Sequence, residues 1–103
     1  MAQIILGTTP TIEYTFRVVS VADIATAILT IKQSGEVLIE KDLSEAEVGE
    51  SSLSWKLSQA ECLQFSYGSA TIMLNWVLAD GTRGASNKTP IEMAQNHIPE
   101  VIT

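Results

Sequence analysis

SATIMLNWVLADGTR, residues 69–83, is the longest apolar segment of the chain, and it stops at Asp80-Gly81, a strong turn signal. Alternate residues Ala70, Ile72, Leu74, Trp76 and Leu78 are all apolar. The other set, Thr71, Met73, Asn75, Val77 and Ala79, is mixed. That is a period of two with one strongly hydrophobic face. On a helix the same residues would surround the axis and need burial on every side. Gly68 and Asp80-Gly81 bound the segment, and its β-branched and aromatic content suits a pleated surface. The stretch reads as a central strand and the first arm of a hairpin. Trp76 is expected to face the core, where a buried indole covers on the order of 200 Å² and its N–H needs an acceptor.

A central strand needs partners, and the chain supplies them in order. Gln3 to Leu6 reads as a first edge strand, ended by the Gly7-Thr8-Thr9-Pro10 bend. From Thr11 to Val19 the pattern alternates, with Ile12, Tyr14, Phe16 and Val18 on one side and Thr11, Glu13, Thr15 and Arg17 on the other. Glu13 and Arg17, on a shared face, suggest a surface ion pair. Ile24 to Gln33 places Ala25, Ala27, Leu29 and Ile31 on one face. Ser34-Gly35 then offers a two-residue turn into Glu36 to Asp42, where Val37 and Ile39 oppose Leu38. Leu43 to Ser52 is an acidic loop in which Ser44 and Glu47 fit a capping box. Its glutamates, Glu45, Glu47 and Glu50, lack calcium-loop spacing and read as solvated side chains, not metal ligands.

Ser52 to Leu57 is a further strand with Leu53, Trp55 and Leu57 inward. Ser58 as N-cap and Glu61 as its reciprocal partner predict a helix of about two turns, with Leu57 stapled against Cys62. Beyond the Asp80-Gly81 turn, Arg83 to Ala94 is a weaker return arm in which Pro90 marks an edge or a bulge. Residues 1–95 thus form one domain. Residues 96–103 form a C-terminal tail that either adds to an edge or lies loose and docks on a neighbour. The whole is an all-β antiparallel sandwich of about seven strands, with one short helix between the fifth and sixth strands.

Composition excludes more than it proposes. A single cysteine, Cys62, permits no intrachain disulfide, so packing alone holds the fold. With 12 acidic and 6 basic residues the net charge is −6, and no basic face exists for nucleic acid. No apolar run approaches the roughly 18–20 residues that span a bilayer. The N-terminus lacks a basic region ahead of its short apolar run. The expectation is cytoplasmic synthesis in a host bacterium, with no membrane partner.

No catalytic or cofactor-binding residues are expected. The one histidine, His97, falls in the tail, and there is no HExxH, CxxC, phosphate-cradling or dinucleotide loop. Asp80 is explained by turn geometry. The chain reads as a non-enzymatic module. One class open to such a sandwich is carbohydrate binding on exposed aromatic rings, for which Tyr14, Trp55 and Tyr67 are the candidates. Two coplanar exposed rings would support it.

Several segments together resemble a narrower group. These are Gly7-Thr8-Thr9-Pro10-Thr11-Ile12, Leu29-Thr30-Ile31-Lys32-Gln33-Ser34-Gly35, Leu57-Ser58-Gln59-Ala60-Glu61, and Trp76 with Asp80-Gly81-Thr82-Arg83. Their order is similar to that of small immunoglobulin-like proteins encoded among the tail genes of phages and prophages of gut Firmicutes. These share their plan with the N-terminal domain of phage baseplate upper proteins. The resemblance implies a structural or assembly role in a tail or baseplate. Other virion or tail proteins, or further copies of the chain, would then be the partners. The long C-terminal extension that baseplate upper proteins use for attachment is absent from this sequence. Edge strands at Gln3–Leu6 and Arg83–Met93 would offer unpaired backbone for such contacts.

Overall fold

The computed structural model describes residues 2–103. Its strands are β1 (Ala2–Ile5), β2 (Thr11–Thr15), β3 (Ile24–Gln33), β4 (Glu36–Asp42), β5 (Glu47–Val48), β6 (Ser52–Lys56), β7 (Gly68–Leu78), β8 (Arg83–Ala85) and β9 (Thr89–Ala94). One helical turn, α1 (Gln59–Cys62), joins β6 to β7. The larger sheet runs β1-β9-β7-β3-β4, with β8 also on β7, and the smaller runs β2-β6-β5. The two sheets enclose one interior, and the immunoglobulin-like sandwich expected from the sequence is formed. The described residues form nine strands where about seven were expected, for two reasons. The acidic loop pairs briefly with β6 as β5, and the return arm is interrupted after Ala85 into β8 and β9.

The 69–83 stretch is central, as its pattern requires. β7 pairs with β3 on one side, placing Leu74 opposite Leu29 and Trp76 opposite Ala27. On its other side it pairs with β8 and then β9. Ala70, Leu74 and Trp76 are buried and Ile72 half-buried. The hairpin closes at Asp80-Gly81, where Gly81 takes φ 91° and its N–H reaches Leu78 O at 2.9 Å. At the second predicted turn Ser34 and Gly35 both have positive φ, 54° and 79°. This is the geometry that matches the twist of a two-residue hairpin.

Where the inward sets differ from expectation, a bulge or a strand end is the cause. A register shift between Ile24 and Thr26 turns Ile24 inward and Ala25 outward. A second, in the β3–β4 ladder, sets Ile31 opposite Ile39 but Lys32 opposite Val37, leaving Leu38 as the extra residue. Ile39 is therefore buried while Val37, across from an outward lysine, is 45% exposed. Val18 was expected inward; β2 ends at Thr15, and Val18 lies in a bend, 98% exposed. For the same reason Glu13 and Arg17 do not share a strand face, and the ion pairs among the described residues both use Lys41 instead.

Ser58 and Glu61 form the capping box they predict: the Glu61 N–H donates to Ser58 Oγ at 3.1 Å and the Ser58 N–H to Glu61 Oε1 at 2.9 Å. The helix is one turn, not two, because a Gln64 N–H to Glu61 O bond tightens its end and returns Phe65 to the core. In the acidic loop the box is built by Asp42 and Glu45 around a short 3-10 turn, not by Ser44 and Glu47; Glu47 has entered β5.

The interior has two apolar clusters. One lies at the α1 end, where Leu57 and Cys62 meet Phe65, Ile91 and Met93. The other gathers Phe16, Leu53, Trp55, Leu74 and Trp76. Gln33, at the next alternating position after Ile31, is buried and uses its amide as a strand would. Its Nε2 donates to Ser66 O, and its Oε1 accepts from Ser66 N–H, both at 2.7 Å. Gln59 does the same for the tail, pairing with both the N–H and the carbonyl of Ile102. With Asn96 Nδ2 donating to Leu6 O at 2.9 Å, the tail is laid along the α1 end of the sandwich.

Candidate functional site

The return arm, expected to be an edge, is covered in its second half: β9 lies between β7 and β1, and β1 runs parallel to it from Ala2 opposite Ile91 to Ile5 opposite Ala94, while β8 pairs with β7 alone. β1 is thus an edge of the larger sheet, and on the smaller sheet β2 presents backbone as well. β2 pairs only with β6, antiparallel, with Thr11 opposite Lys56 and Thr15 opposite Ser52. Leu57 N–H donates to Pro10 O at 2.9 Å, and Phe16 N–H donates to Ser51 O at 2.8 Å. Hydrogen-bonded positions alternate along an antiparallel strand. These two bonds fix the parity: Ile12 and Tyr14 point their backbone groups at β6, and Thr11, Glu13 and Thr15 point theirs away from it.

Beside that edge the sandwich is open. The smaller sheet stops at β2 while the larger continues through β9 to β1, where Ile4, Ile91 and Met93 pack against Leu57, Cys62 and Phe65 and not against a facing strand. The result is a cleft of about 350 Å³ whose floor is Ile12, Tyr14, Leu29, Ile72, Leu74 and Ile91. Its rim carries Gln3, Thr11, Thr89 and one charged residue, Glu13. The return arm is broken between β8 and β9. There Ser86 leaves the strand and its Oγ accepts the Leu74 N–H at 2.9 Å in place of a backbone carbonyl.

Trp76 holds β2 from below. Its ring meets Phe16 edge-on at 5.1 Å and Tyr14 at 5.7 Å, and Tyr14 and Phe16 are 4.8 Å apart. Gly84, opposite Trp76 in the ladder, makes room for the indole: a β-carbon there would come within 2.5 Å of Cε2. Sequence reasoning passed over Gly84, since a glycine three residues beyond a turn carries no local signal of what lies across the ladder.

The three candidate stacking residues are not brought together. Trp55 is 1% exposed, a core residue whose Nε1 donates to Asp42 O at 2.9 Å, so it offers no ring face to a ligand. Tyr14 is half-buried against Phe16 and Trp76. Tyr67 is 67% exposed and borders a different cleft, with Leu63 and His97. Trp55 alternates inward by the same pattern that made it conspicuous, which is why it reads as both core and candidate.

Ionisable groups do not converge on the cleft. Among the described residues no three of His, Cys, Asp and Glu are placed to hold a metal ion. The groups with shifted acidities have structural partners. Lys41 hydrogen-bonds Glu61 and lies near Glu45, which raises the lysine above its ordinary value. Lys41, and then the Ser58 N–H, hold the Glu61 carboxyl below the usual range. The Thr82 N–H does the same for Asp80 in the exposed hairpin turn. The arrangement offers a binding edge and an apolar floor.

No family model matches the chain, and no curated protein matches it in sequence. Among solved structures it is similar to CopC from Methylosinus trichosporium OB3b, with a TM-score of 0.61 at 14% identity, over 95% of this chain and 89% of that one. Murine CRIg aligns with a TM-score of 0.49 at 9% identity, covering 92% and 91% of the two chains. The V domain of amphioxus IgVJ-C2 aligns at 0.38 and 10%, covering 91% and 99%. At 14% identity the likeness to CopC is one of fold alone, across nearly the whole of this chain.

Proposed function

We propose that the protein is a non-enzymatic assembly module of a phage or prophage tail or baseplate, acting by protein–protein contacts. The observation that carries the contact role is the β2 edge, where unpaired backbone stands beside an apolar cleft. Native sandwiches ordinarily blunt such edges, because they template pairing with another chain. The setting comes from the sequence resemblance to small immunoglobulin-like tail proteins. The net charge of −6 is suited to protein partners and not to nucleic acid.

The test is co-purification with phage tail and baseplate proteins, with the complex mass measured by light scattering over a range of concentrations. A stable complex with one of them, or a closed oligomer of the chain, is the expected result. A monomer at every concentration that joins none of them would overturn the reading.

A further inference from the structure

We propose that β2 accepts an extended strand from a different protein. That strand lays alternate apolar side chains into the cleft and sets a lysine or arginine against Glu13. The inference rests on the assembly reading and names the surface and the kind of partner. Three observations carry it.

The first is parity. Thr11, Glu13 and Thr15 direct three N–H groups and three carbonyls outward, as the Pro10–Leu57 and Phe16–Ser51 bonds require. At about 3.4 Å per residue this edge matches a partner strand of about five residues.

The second is shape. Residues of an added strand that face the same way as Ile12 and Tyr14 enter the cleft. A dry cavity of about 150 Å³ holds a benzene ring, so the cleft's volume of about 350 Å³ accommodates two aliphatic side chains of that size.

The third is charge, which decides between a second copy and a foreign strand. Glu13 is the one charged residue lining the cleft, and it is the middle residue of β2. Two β2 strands meeting about a twofold axis at that residue would set Glu13 directly opposite Glu13, and like charges in that position repel. A register bringing Arg17 opposite Glu13 would need a strand where the chain bends after Thr15. The acidic net charge adds a general repulsion between copies. A basic residue opposite Glu13 in a foreign strand reverses the first, and a partner that is not acidic removes the second.

The test uses a nine-residue peptide of alternating threonine and valine with lysine as its central residue, and a matched peptide with glutamate there. Amide exchange of the intact protein is read by NMR. The lysine peptide should protect the Thr11, Glu13 and Thr15 amides and bind roughly fivefold or more tighter than the glutamate peptide. Glu13→Lys should invert that preference. Glu13→Pro removes only an outward N–H and should weaken both peptides; if that variant does not fold, the inversion in Glu13→Lys still decides.

No protection of those amides at millimolar peptide, or protection on β4 instead, would overturn the inference. So would equal binding of the two peptides. Protection that rises with protein concentration alone would give the cleft to a second copy and overturn it too. A tail protein that binds while these three amides keep exchanging would overturn the strand-acceptor inference and leave the assembly reading standing. Peptide capture at β2 without any tail partner would do the converse.

Discussion

Two edge strands of this sandwich, β2 and β4, are finished in opposite ways. β4 carries Glu36, Glu40, Lys41 and Asp42, and its ladder is kinked by the extra residue at Leu38. Its last turn is fastened three times: Lys41 to Glu61 and Glu45, the Asp42 carboxylate to the Ser44 N–H, and the Asp42 carbonyl to Trp55 Nε1. Charge and irregularity are standard means of keeping an edge from pairing with a neighbour. β2 has neither a bulge nor a cluster of charges, and beside it the apolar floor is open. Of these two edges, then, one is guarded and the other presentable. The contrast is what the proposed strand-acceptor role of β2 rests on.

The largest expected effect on this contrast comes from removing what holds β2 down. Trp76→Ala should destabilise the fold by about 3–5 kcal/mol in denaturant titrations. A loss below about 1 kcal/mol would show that Tyr14 and Phe16 attach β2 without it. Trp55→Phe acts on the other edge, leaving the Asp42 carbonyl without its buried donor at a cost of about 1–3 kcal/mol. Exchange should quicken at the end of β4 and not along β2; equal quickening on both would mean that the edges are not independent.

Lys41→Met should cost only about 0.2–1 kcal/mol, because the pair reaches solvent at Glu45, which is 47% exposed. Its pH dependence is more telling. Glu61 is held below its unfolded value, so its contribution is present above the ordinary carboxylate range and is lost as pH falls through the folded value. Lys41 is raised, so its contribution is present below the ordinary lysine value and is lost as pH rises through the folded one. The variant should therefore lose less stability than the parent in both acid and strong alkali. An unchanged acid limb would remove Lys41 from the account of the β4 edge. Smallest in energy, and needing no substitution, is the exchange pattern of β2 itself. Ile12 and Tyr14 amides should be protected while Thr11, Glu13 and Thr15 exchange as exposed backbone. Uniform protection along the strand would close the edge and end the contrast.

Local chemistry made much of the sandwich legible. The alternation around Trp76, the turns at Ser34-Gly35 and Asp80-Gly81, and the Ser58–Glu61 box each depend on residues within a few positions of one another, and each is present. What the sequence did not reveal depends on partners far along the chain. The bulges that expose Ala25 and Val37 are settled by the facing strand. Gly84 is explained only by an indole across the ladder. The Gln3–Leu6 edge is formed as β1, but the second expected edge was misplaced, because alternation tells which face of a strand is buried, not which neighbour pairs with it. Thus Arg83–Met93 looked like an edge until β1 was found beside β9, and β2, whose pattern was the clearest half-buried strand, turned out to own the open side.

The parallel pairing of β1 with β9 gives the domain a mechanical axis. Because the two strands run the same way, the start of β1 and the end of β9 lie at opposite ends of their ladder. A force drawing those points apart loads the strands in shear, so the four registered pairs from Ala2–Ile91 to Ile5–Ala94 bear it together. The Leu6 N–H to Ala94 O bond and the Asn96 side chain on Leu6 O extend the same seam. An antiparallel closure would have opened one bond at a time. Pulled along this line the domain is a clamp, and the β2 edge, in the other sheet, stays presented while the clamp holds.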